Sequence, residues 1–296
     1  MLRVRVPASS ANLGPGFDAL GLSIGLFLEV EASLAAEDAF DYRGGGPAPV
    51  GADNLIHQGF RAVHEELGRP APTVALRVDN PIPLARGLGS SSAALVAGAA
   101  LADKLLGEPL GRDGVFRLTA RLEGHPDNVG PTVYGGFTVA ALDENGAYLA
   151  ATLSVPPDWR LIFGVPAFEL ATVAARAVLP RTYSPADVVL TSSRAALWVA
   201  AVAQDRPELL RAASLDVMHQ PYRSPLVPGL SQALLAARKA GAYASFLSGS
   251  GPTLGVITDD ASRAACKAVV ESYVGNSGHV LEPGIAAGYE VEQVAV

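Results

Sequence analysis

The spacing of apolar and polar positions predicts alternating strands and helices in the first half of the chain. Three segments have the apolar spacing of strands: residues 2–6, 26–31 and 73–78. Three others have helical spacing: residues 55–67, 91–106 and 113–122. Asn54 stands where it can cap the first helix, and the turn DENG at residues 143–146 predicts a hairpin.

The second half continues this mixture of elements. Apolar runs predict strands at residues 161–165, 243–247, 254–258 and 289–294. Helical spacing predicts helices near residues 187–203, 207–217, 230–240 and 261–273. A Val-Pro-Pro segment at residues 155–157 predicts the boundary between two domains, residues 1–155 and residues 156–296. Because helices and hairpins are mixed, we predict an α+β fold rather than a doubly wound parallel sheet.

Composition narrows the class of protein. Of 296 residues, 49% are apolar and only 17% are charged, so the chain can bury large cores. The formal net charge of −7, without any basic run, argues against nucleic acid as a partner. No apolar run is long enough to cross a bilayer and no signal peptide is evident, which predicts a cytoplasmic protein without a membrane partner. The single cysteine, Cys266, excludes an internal disulfide.

The most informative segment is PLARGLGSSSAA at residues 83–94. Its glycines form a loop that leads directly into a helix, so free backbone N–H groups and the positive end of the helix dipole meet at one point. Such an arrangement binds phosphate, and its serines can cap the helix, donate to phosphate oxygens or ligate magnesium. No lysine follows, unlike the loop of common nucleotide triphosphatases. On these residues alone, an ordinary strand–turn–helix with serine caps is the alternative.

Three further segments are polar and rich in turn residues: residues 9–18 (SSANLGPGFD), residues 123–129 (EGHPDNV) and residues 247–253 (LSGSGPT). Together with the glycine-rich loop, they resemble the motifs of the GHMP kinase superfamily and, within it, the homoserine kinase family. The superfamily pattern PxxxGLGSSxA matches residues 83–93 throughout. The order and spacing of the other segments also agree with the family, over residues 6–258.

This resemblance implies a fold, two cofactors and a substrate. The implied architecture is an N-terminal ATP-binding domain of the ribosomal-S5-like type followed by a C-terminal ferredoxin-like α/β sandwich. The implied reaction uses ATP and Mg²⁺ to phosphorylate the side-chain hydroxyl of a small molecule, L-homoserine. The residues implied to hold ATP are Pro83, Leu84, Ala85, Arg86, Gly87, Leu88, Gly89, Ser90, Ser91, Ser92, Ala93, Gly249, Ser250 and Gly251.

The resemblance also implies the residues that contact the substrate: Asn12, Asp18, His125, Asn128, Arg176 and Arg223. Asp18 would face the ammonium group, and the two arginines would face the carboxylate. His125, Asp127 and Asn128 are implied as catalytic residues near the reacting hydroxyl. No lysine lies near the first motif, which favours a mechanism without a dedicated base. Proton acceptance by Asp127 is the alternative.

Magnesium binding is implied for Ser91. Family members often carry a glutamate on the helix before the HPDN segment, where this chain has Arg117 instead. The sequence therefore leaves two options: Glu123 is the second ligand, or phosphates and water complete the shell.

Two other functions stay open on the sequence. One is a different enzyme of the superfamily, such as a mevalonate or sugar kinase or a diphosphate decarboxylase. Two arginines and an aspartate fit an amino-acid zwitterion better than a sugar. The other is a non-catalytic nucleotide- or nucleic-acid-binding module, which the acidic charge disfavours. The oligomeric state is undetermined, with a homodimer as one option.

Overall fold

The computed structural model of the chain describes residues 1–45 and 54–294. Its first sheet has seven strands: β1 (Leu2–Asn12), β2 (Gly16–Leu34), β3 (Ala39–Gly44), β4 (Val74–Asn80), β5 (Phe137–Leu142), β6 (Tyr148–Leu153) and β11 (Glu290–Gln293). The main path runs β11-β1-β2-β4-β3. Strand β5 pairs with the N-terminal part of β2, and β6 pairs with β5. Only β3 and β4 pair in parallel.

A second, four-stranded sheet lies in the C-terminal half: β7 (Arg160–Val165), β8 (Ala244–Leu247), β9 (Leu254–Thr258) and β10 (His279–Leu281). Its order is β10-β7-β9-β8, and each pair is antiparallel. Mixed strands and helices with antiparallel pairs confirm the α+β prediction.

Ten α-helices are described: α1 (Leu55–Glu66), α2 (Ser90–Leu105), α3 (Gly111–Glu123), α4 (Val129–Tyr134), α5 (Thr172–Ala177), α6 (Pro185–Ala203), α7 (Leu210–Ala213), α8 (Gln220–Arg223), α9 (Leu230–Lys239) and α10 (Arg263–Val274). Asn54 caps α1 as predicted, because its side chain accepts hydrogen bonds from the backbone of Ile56 and His57. Helix α2 lies close against α1: a Cβ at Gly98 would stand 1.9 Å from the carbonyl oxygen of Ile56.

Helix α2 is the central helix of the N-terminal half. Residues from Ala93 to Asp103 are buried on nearly every side, because α2 lies between the first sheet and helices α1 and α3. Small alanine side chains allow this close packing. Its N-terminus, which carries the glycine-rich loop, is thereby held at a fixed point beside β1.

Several predictions of local structure were wrong. Strand β1 extends through residues 6–12, where a loop was expected, because β2 pairs with it along this whole stretch across two irregularities in register. The helix expected at residues 207–217 is a 3₁₀ turn (Pro207–Leu209) followed by the four-residue α7. Beyond the C-cap Ser214, the carboxylate of Asp216 accepts the backbone N–H groups of Met218, His219 and Gln220 and holds the chain in a turn. Elements β3, α4, α5, α8 and β10 were not predicted.

The two halves share one core. Trp198 of α6 stacks on Phe137 of β5 at 6.0 Å between ring centroids, and it meets Phe246 of β8 edge-on at 6.2 Å. Strand β11 returns to pair with β1, so the chain crosses the division at residues 155/156 a second time. That division remains a prediction. Both tryptophans and Cys266 are buried, as expected for core residues.

Among the described helices, α6 is long and apolar enough to suit a membrane span, with a mean hydropathy of 1.3 over 18 of its residues. Its C-terminal turns, which carry Trp198, Ala201 and Val202, are buried in the core. Its first turns are exposed and include Val188 and Val189.

Candidate active site

A cleft of about 400 Å³ brings the four motif segments together. The expected site residues that line it are Asn12, Asp18, residues 83–91, Glu123, His125, Asp127, Asn128, Arg176, Arg223, Gly249 and Ser250. Ser92 and Ala93 are buried behind the cleft in α2. Gly251 is a buried residue of the second glycine-rich loop, which connects β8 to β9. Segments that are more than 200 residues apart in sequence therefore form one site.

The glycine-rich loop has the geometry of an anion site. Gly89 is the N-cap of α2 with φ of 68°, and no side chain of the described residues caps the helix. The N–H groups of the first turn are therefore free of capping side chains, and the helix dipole points at the cleft. A Cβ at Gly89 would lie 2.1 Å from Oγ of Ser9 and 3.0 Å from Oδ1 of Asn128. The serine caps of the alternative interpretation are not formed.

The second glycine-rich loop packs directly on the first. The hydroxyl of Ser248 donates to the carbonyl oxygen of Gly87 at 2.6 Å and lies 2.7 Å from the hydroxyl of Ser10. A Cβ at Gly87 would lie 2.1 Å from the carbonyl oxygen of Ser248. Gly249 donates its N–H to Ala11 of β1. These contacts hold the loop after β8 against both N-terminal motifs.

Arg86 holds the glycine-rich loop in place. Its guanidinium donates to the carbonyl oxygens of Leu84, Pro166 and Ala167 at 2.8, 3.2 and 2.7 Å. The sequence places Arg86 among the ATP-binding residues because it belongs to the motif. Its Nη1 also donates to Oε1 of Glu169 at 3.3 Å, so the side chain connects the loop to the segment that follows β7.

Ser91 and Glu123 stand together at the mouth of the loop. The hydroxyl of Ser91 donates to Oε1 of Glu123 at 2.5 Å, which brings the end of α3 to the start of α2. Arg117 is exposed on α3. Within residues 1–45 and 54–294, no group of three or more His, Cys, Asp or Glu is arranged to hold a metal ion. Two adjacent oxygen ligands are what Mg²⁺ commonly takes from a protein that also binds phosphates.

Charged side chains occupy the other end of the cleft. Arg176 makes a bidentate ion pair with Asp18, with N–O distances of 2.8 and 3.0 Å. The backbone N–H of Asp18 donates to Oδ1 of Asn12, whose Nδ2 donates to the carbonyl oxygen of Gly249. Asn12 and Asp18 have φ of 69° and 55°, a region that asparagine and aspartate tolerate better than most residues.

Arg223 is a buried cation in the same region, with 2% of its surface exposed. Its Nε donates to the carbonyl oxygen of Ala175 at 3.1 Å, and its Nη1 donates to that of Gly249 at 3.0 Å. Burial and the nearby charge of Arg176 lower the pKa of Arg223 to about 10. It is still cationic at neutral pH and has no carboxylate in hydrogen-bond contact among the described residues. A buried cation of this kind favours an anionic ligand.

The HPDN segment forms a compact hydrogen-bond network. Oδ1 of the buried Asp127 lies 2.7 Å from Nδ1 of His125 and accepts the backbone N–H of Asn128 at 2.9 Å. Oδ1 of Asn128 accepts from the hydroxyl of Ser9 at 3.0 Å. Burial alone would lower the pKa of His125, but the hydrogen bond and charge of Asp127, with Glu123 and Asp18 nearby, raise it overall.

The raised pKa of His125 has a measurable consequence for stability. Its protonated form is favoured by folding, so its contribution is complete below the unfolded pKa and is lost as pH rises through the folded pKa. We expect the difference in unfolding free energy between the natural protein and His125→Gln to shrink as pH rises above about 6.5, the unfolded pKa of histidine, by about 1.4 kcal/mol for each unit of raised pKa. Urea denaturation at several pH values measures this difference.

Comparison with the variant is necessary, because His57, His64 and His219 have pKa values lowered by burial. Those three histidines destabilise the fold as pH falls, and they contribute equally to both proteins. A difference that stays constant or grows as pH rises would contradict the assignment of His125.

Sequence reasoning missed several residues of the site. Phe40 and Tyr42 of β3 line the cleft beside the glycine-rich loop, with rings stacked at 5.9 Å. Ser9 supports Asn128, and Phe17 lies against both arginines at 5.4 and 5.3 Å. Ser9 and Phe17 belong to a motif segment, so their position was the available signal. Strand β3 is a short, exposed edge strand and carried none.

Known proteins match this chain along nearly its whole length. The family described as GHMP kinases N terminal domain matches residues 54–136, and GHMP kinases C terminal matches residues 198–275. A homoserine kinase of Thermus thermophilus is 50% identical over 287 residues, 97% of each chain. One of Deinococcus radiodurans is 44% identical, over 98% of this chain and 96% of its own.

A solved structure agrees with both matches. The crystal structure of homoserine kinase from Cytophaga hutchinsonii superposes with a TM-score of 0.86 at 25% identity, over 98% of this chain and 97% of that one. These relatives confirm the architecture expected from the four motifs, and they do not favour a mevalonate kinase, a sugar kinase or a non-catalytic module. This chain belongs to the GHMP kinases and, within them, to the homoserine kinase family.

Proposed function

We propose that this protein transfers the γ-phosphoryl group of ATP to the side-chain hydroxyl of L-homoserine, a step toward threonine. The hydroxyl oxygen forms a bond to the γ-phosphorus while the bond to the β,γ-bridging oxygen breaks, ADP leaves, and the hydroxyl proton passes to an oxygen of the transferred phosphoryl group. The observation that carries the proposal is that one cleft has a phosphate-binding geometry at one end and charged side chains at the other. One end offers an uncapped helix N-terminus, and the other offers Asp18, Arg176 and Arg223. The relatives named homoserine kinases agree with it.

At the nucleotide end, the loop at residues 83–91 binds the phosphates of ATP through backbone N–H groups. The contacts of Ser248 with this loop help to hold Gly87 and Gly89 in their left-handed conformation. The apolar wall that contains Phe40, Tyr42 and Val78 borders the loop and accommodates the flat face of a nucleobase.

Ser91 and Glu123 are the residues that would hold Mg²⁺. Their oxygens are adjacent, and Glu123 is mostly buried, so a cation would compensate its charge. When bound, the ion neutralises negative charge that spreads over the phosphate oxygens during transfer. The adjacent oxygens of Ser91 and Glu123 support Glu123, rather than a further water molecule, as the second ligand of Mg²⁺.

At the amino-acid end, the carboxylate of the substrate binds Arg223 and Arg176, and its ammonium group binds Asp18. Asp18 and Arg176 lie side by side as an ion pair, which supports a site for a ligand that carries both charges. Binding here orients the substrate side chain toward the HPDN segment and the phosphate loop.

The reacting hydroxyl lies beside Asn128. Because Oδ1 of Asn128 already accepts from Ser9, its Nδ2 is the group that can donate to the hydroxyl oxygen. Oδ1 of Asp127 is hydrogen-bonded to His125 and to the backbone N–H of Asn128. We therefore assign Asp127 to positioning rather than to proton abstraction. In-line positioning and charge neutralisation then supply most of the rate enhancement.

This assignment predicts a modest effect for Asp127→Asn. We expect kcat to fall about tenfold with little change in either KM, because the amide oxygen can still accept from Asn128. Loss of a general base would cost about 10²–10⁴-fold. Steady-state kinetics measure the difference, with Asp143→Asn in the remote hairpin turn as the matched control. A loss of several orders of magnitude in kcat at unchanged KM would make Asp127 the base.

The function itself is tested by the release of ADP with L-homoserine, mevalonate and galactose in parallel. We expect kcat/KM for L-homoserine to exceed the others by at least about 10³-fold. Galactose is neutral and would leave the charges of both signs unpaired, and mevalonate has a carboxylate but no ammonium group to pair with Asp18. Comparable rates with mevalonate or galactose would refute the substrate, and failure to bind ATP would refute the kinase activity.

A further inference from the structure

His219 is a buried histidine with no place in the functions assigned above. It lies in the turn between α7 and α8, one helical turn before Arg223, and none of its side chain is exposed. It does not line the cleft. The sequence offered no signal for it, because a lone histidine in a loop-like segment is common.

The hydrogen bonds of His219 determine which nitrogen carries the proton. Nη1 of Arg223 lies 3.2 Å from Nδ1 of His219, and a guanidinium can only donate. Nδ1 is therefore the unprotonated nitrogen. Nε2 then carries the proton and donates to the carbonyl oxygen of Gly14 at 2.8 Å, with Oδ2 of Asp216 at 3.4 Å from the same atom. Burial, opposed by Asp216 and assisted by Arg223, lowers the pKa of His219, which agrees with a neutral ring.

The two contacts of the ring connect two substrate-binding segments. Gly14 belongs to the turn between β1, which ends at Asn12, and β2, which carries Asp18. A Cβ at Gly14 would stand 2.6 Å from the carbonyl oxygen of Ser214, so only glycine allows this loop to lie against the turn of His219. On the other side of the ring, Arg223 stands at the end of α8.

The remaining contacts of Arg223 show what this bridge controls. Nε is fixed by Ala175, and Nη1 is shared between Gly249 and His219. Nη2 makes no hydrogen bond with any residue that the structure describes. Fixing Nε and Nη1 leaves the planar guanidinium without rotation, so the direction of Nη2 is set.

We propose that His219 is a positioning residue for substrate binding: its neutral, Nε2-protonated ring orients the guanidinium of Arg223 so that Nη2 meets the carboxylate of the amino acid. This inference rests on the proposed function. Phe17 also packs against this group. Its ring centroid lies 5.5 Å from that of His219, 5.4 Å from the guanidinium carbon of Arg176 and 5.3 Å from that of Arg223.

Two substitutions separate the two contacts of the ring. An asparagine side chain can place Oδ1 where the imidazole has Nδ1, so His219→Asn keeps an acceptor for Arg223. A glutamine side chain can place its amide nitrogen where the imidazole has Nε2, so His219→Gln keeps the donor to Gly14 and loses the acceptor for Arg223. We expect His219→Gln to raise KM for L-homoserine about 10–100-fold, the range for a lost hydrogen bond to a charged group. His219→Asn stays within about threefold of the natural protein in the same measurement.

The kinetic pattern also separates positioning from general damage. KM for ATP and kcat should stay within about twofold in both variants, because the hydrogen bond from Arg223 to the carbonyl oxygen of Gly249, its contact with the second glycine-rich loop, does not involve His219. Equal increases in KM for L-homoserine in the two variants would overturn the proposal, since a ring that merely fills space or anchors Gly14 predicts no preference for asparagine.

A second measurement does not depend on the variants folding. The ¹⁵N chemical shifts of the ring nitrogens of His219 in the natural protein report its tautomer directly. We expect an unprotonated Nδ1 and a protonated Nε2, and a protonated Nδ1 would overturn the proposal. Failure of the proposed function is recognised separately, because the natural protein would then release no ADP with L-homoserine whatever the tautomer of His219.

Discussion

Replacing Gly89 with alanine should reduce kcat by roughly 10²–10³-fold, since an ångström-scale displacement of reacting groups can cost about 10²-fold. The new Cβ would lie 2.1 Å from Oγ of Ser9 and 3.0 Å from Oδ1 of Asn128, so both must move. Ser9 is fully buried and cannot yield easily. The substitution therefore displaces the phosphate loop and the hydroxyl-binding amide together. Steady-state kinetics with ATP and L-homoserine measure the loss.

Gly107, just beyond the other end of α2, provides the control. It also has positive φ, 85°, but no atom lies within 4 Å of its ideal Cβ position. Gly107→Ala therefore carries the backbone cost of about 1 kcal/mol without the collision, and it should leave kcat unchanged. If Gly89→Ala retained activity within a few-fold of the control, the phosphates would have to bind elsewhere.

The second large effect is expected at Arg223. Methionine has a similar length without charge or donors, and Arg223→Met should raise KM for L-homoserine about 10²–10³-fold at nearly unchanged KM for ATP. The substrate carboxylate loses its buried cation, and Gly249 and Ala175 lose their hydrogen-bond donor. Initial rates with each substrate varied in turn separate the two KM values.

Arg238 serves as the matched control for this prediction. It is half-buried in the same half of the chain, burial lowers its pKa, and it donates to Ser245 and Ser214. It does not line the cleft. Arg238→Met should lower thermal stability and leave KM for L-homoserine unchanged. An equal rise of KM in both variants would mean that the Arg223 effect is loss of folding rather than loss of a ligand contact.

Local sequence predicted the phosphate loop, but it did not predict the aromatic residues that line the cleft beside that loop. Gly87 and Gly89 announce a left-handed backbone and close approach, because glycine adopts positive φ without cost. Phe40 and Tyr42 gave no such indication. Their strand β3 is an exposed edge whose pairing with β4 is decided by a neighbour distant in sequence.

The two arginines of the cleft were also not predictable from local sequence. Neither Arg176 nor Arg223 stands in a pattern that distinguishes it from a surface arginine, and only the family resemblance singled them out. The structure buries Arg223 beside His219 and pairs Arg176 with Asp18. Arg176 pairs with a residue 158 positions away, and Arg223 donates to carbonyl oxygens 26 and 48 positions away. Propensity within a short window contains none of these contacts.

Sequence by itself determined the α+β class, most helices and strands, the phosphate loop and the superfamily, because periodic apolar spacing and glycine-rich turns are properties of neighbouring residues. Tertiary structure alone decided that β1 continues through its motif, that Glu123 meets Ser91, and that the ring of His219 lies 2.8 Å from the carbonyl oxygen of Gly14. Each of these depends on which distant group supplies the hydrogen-bond partner. A buried polar group must find such a partner, and only the folded chain determines which one it is.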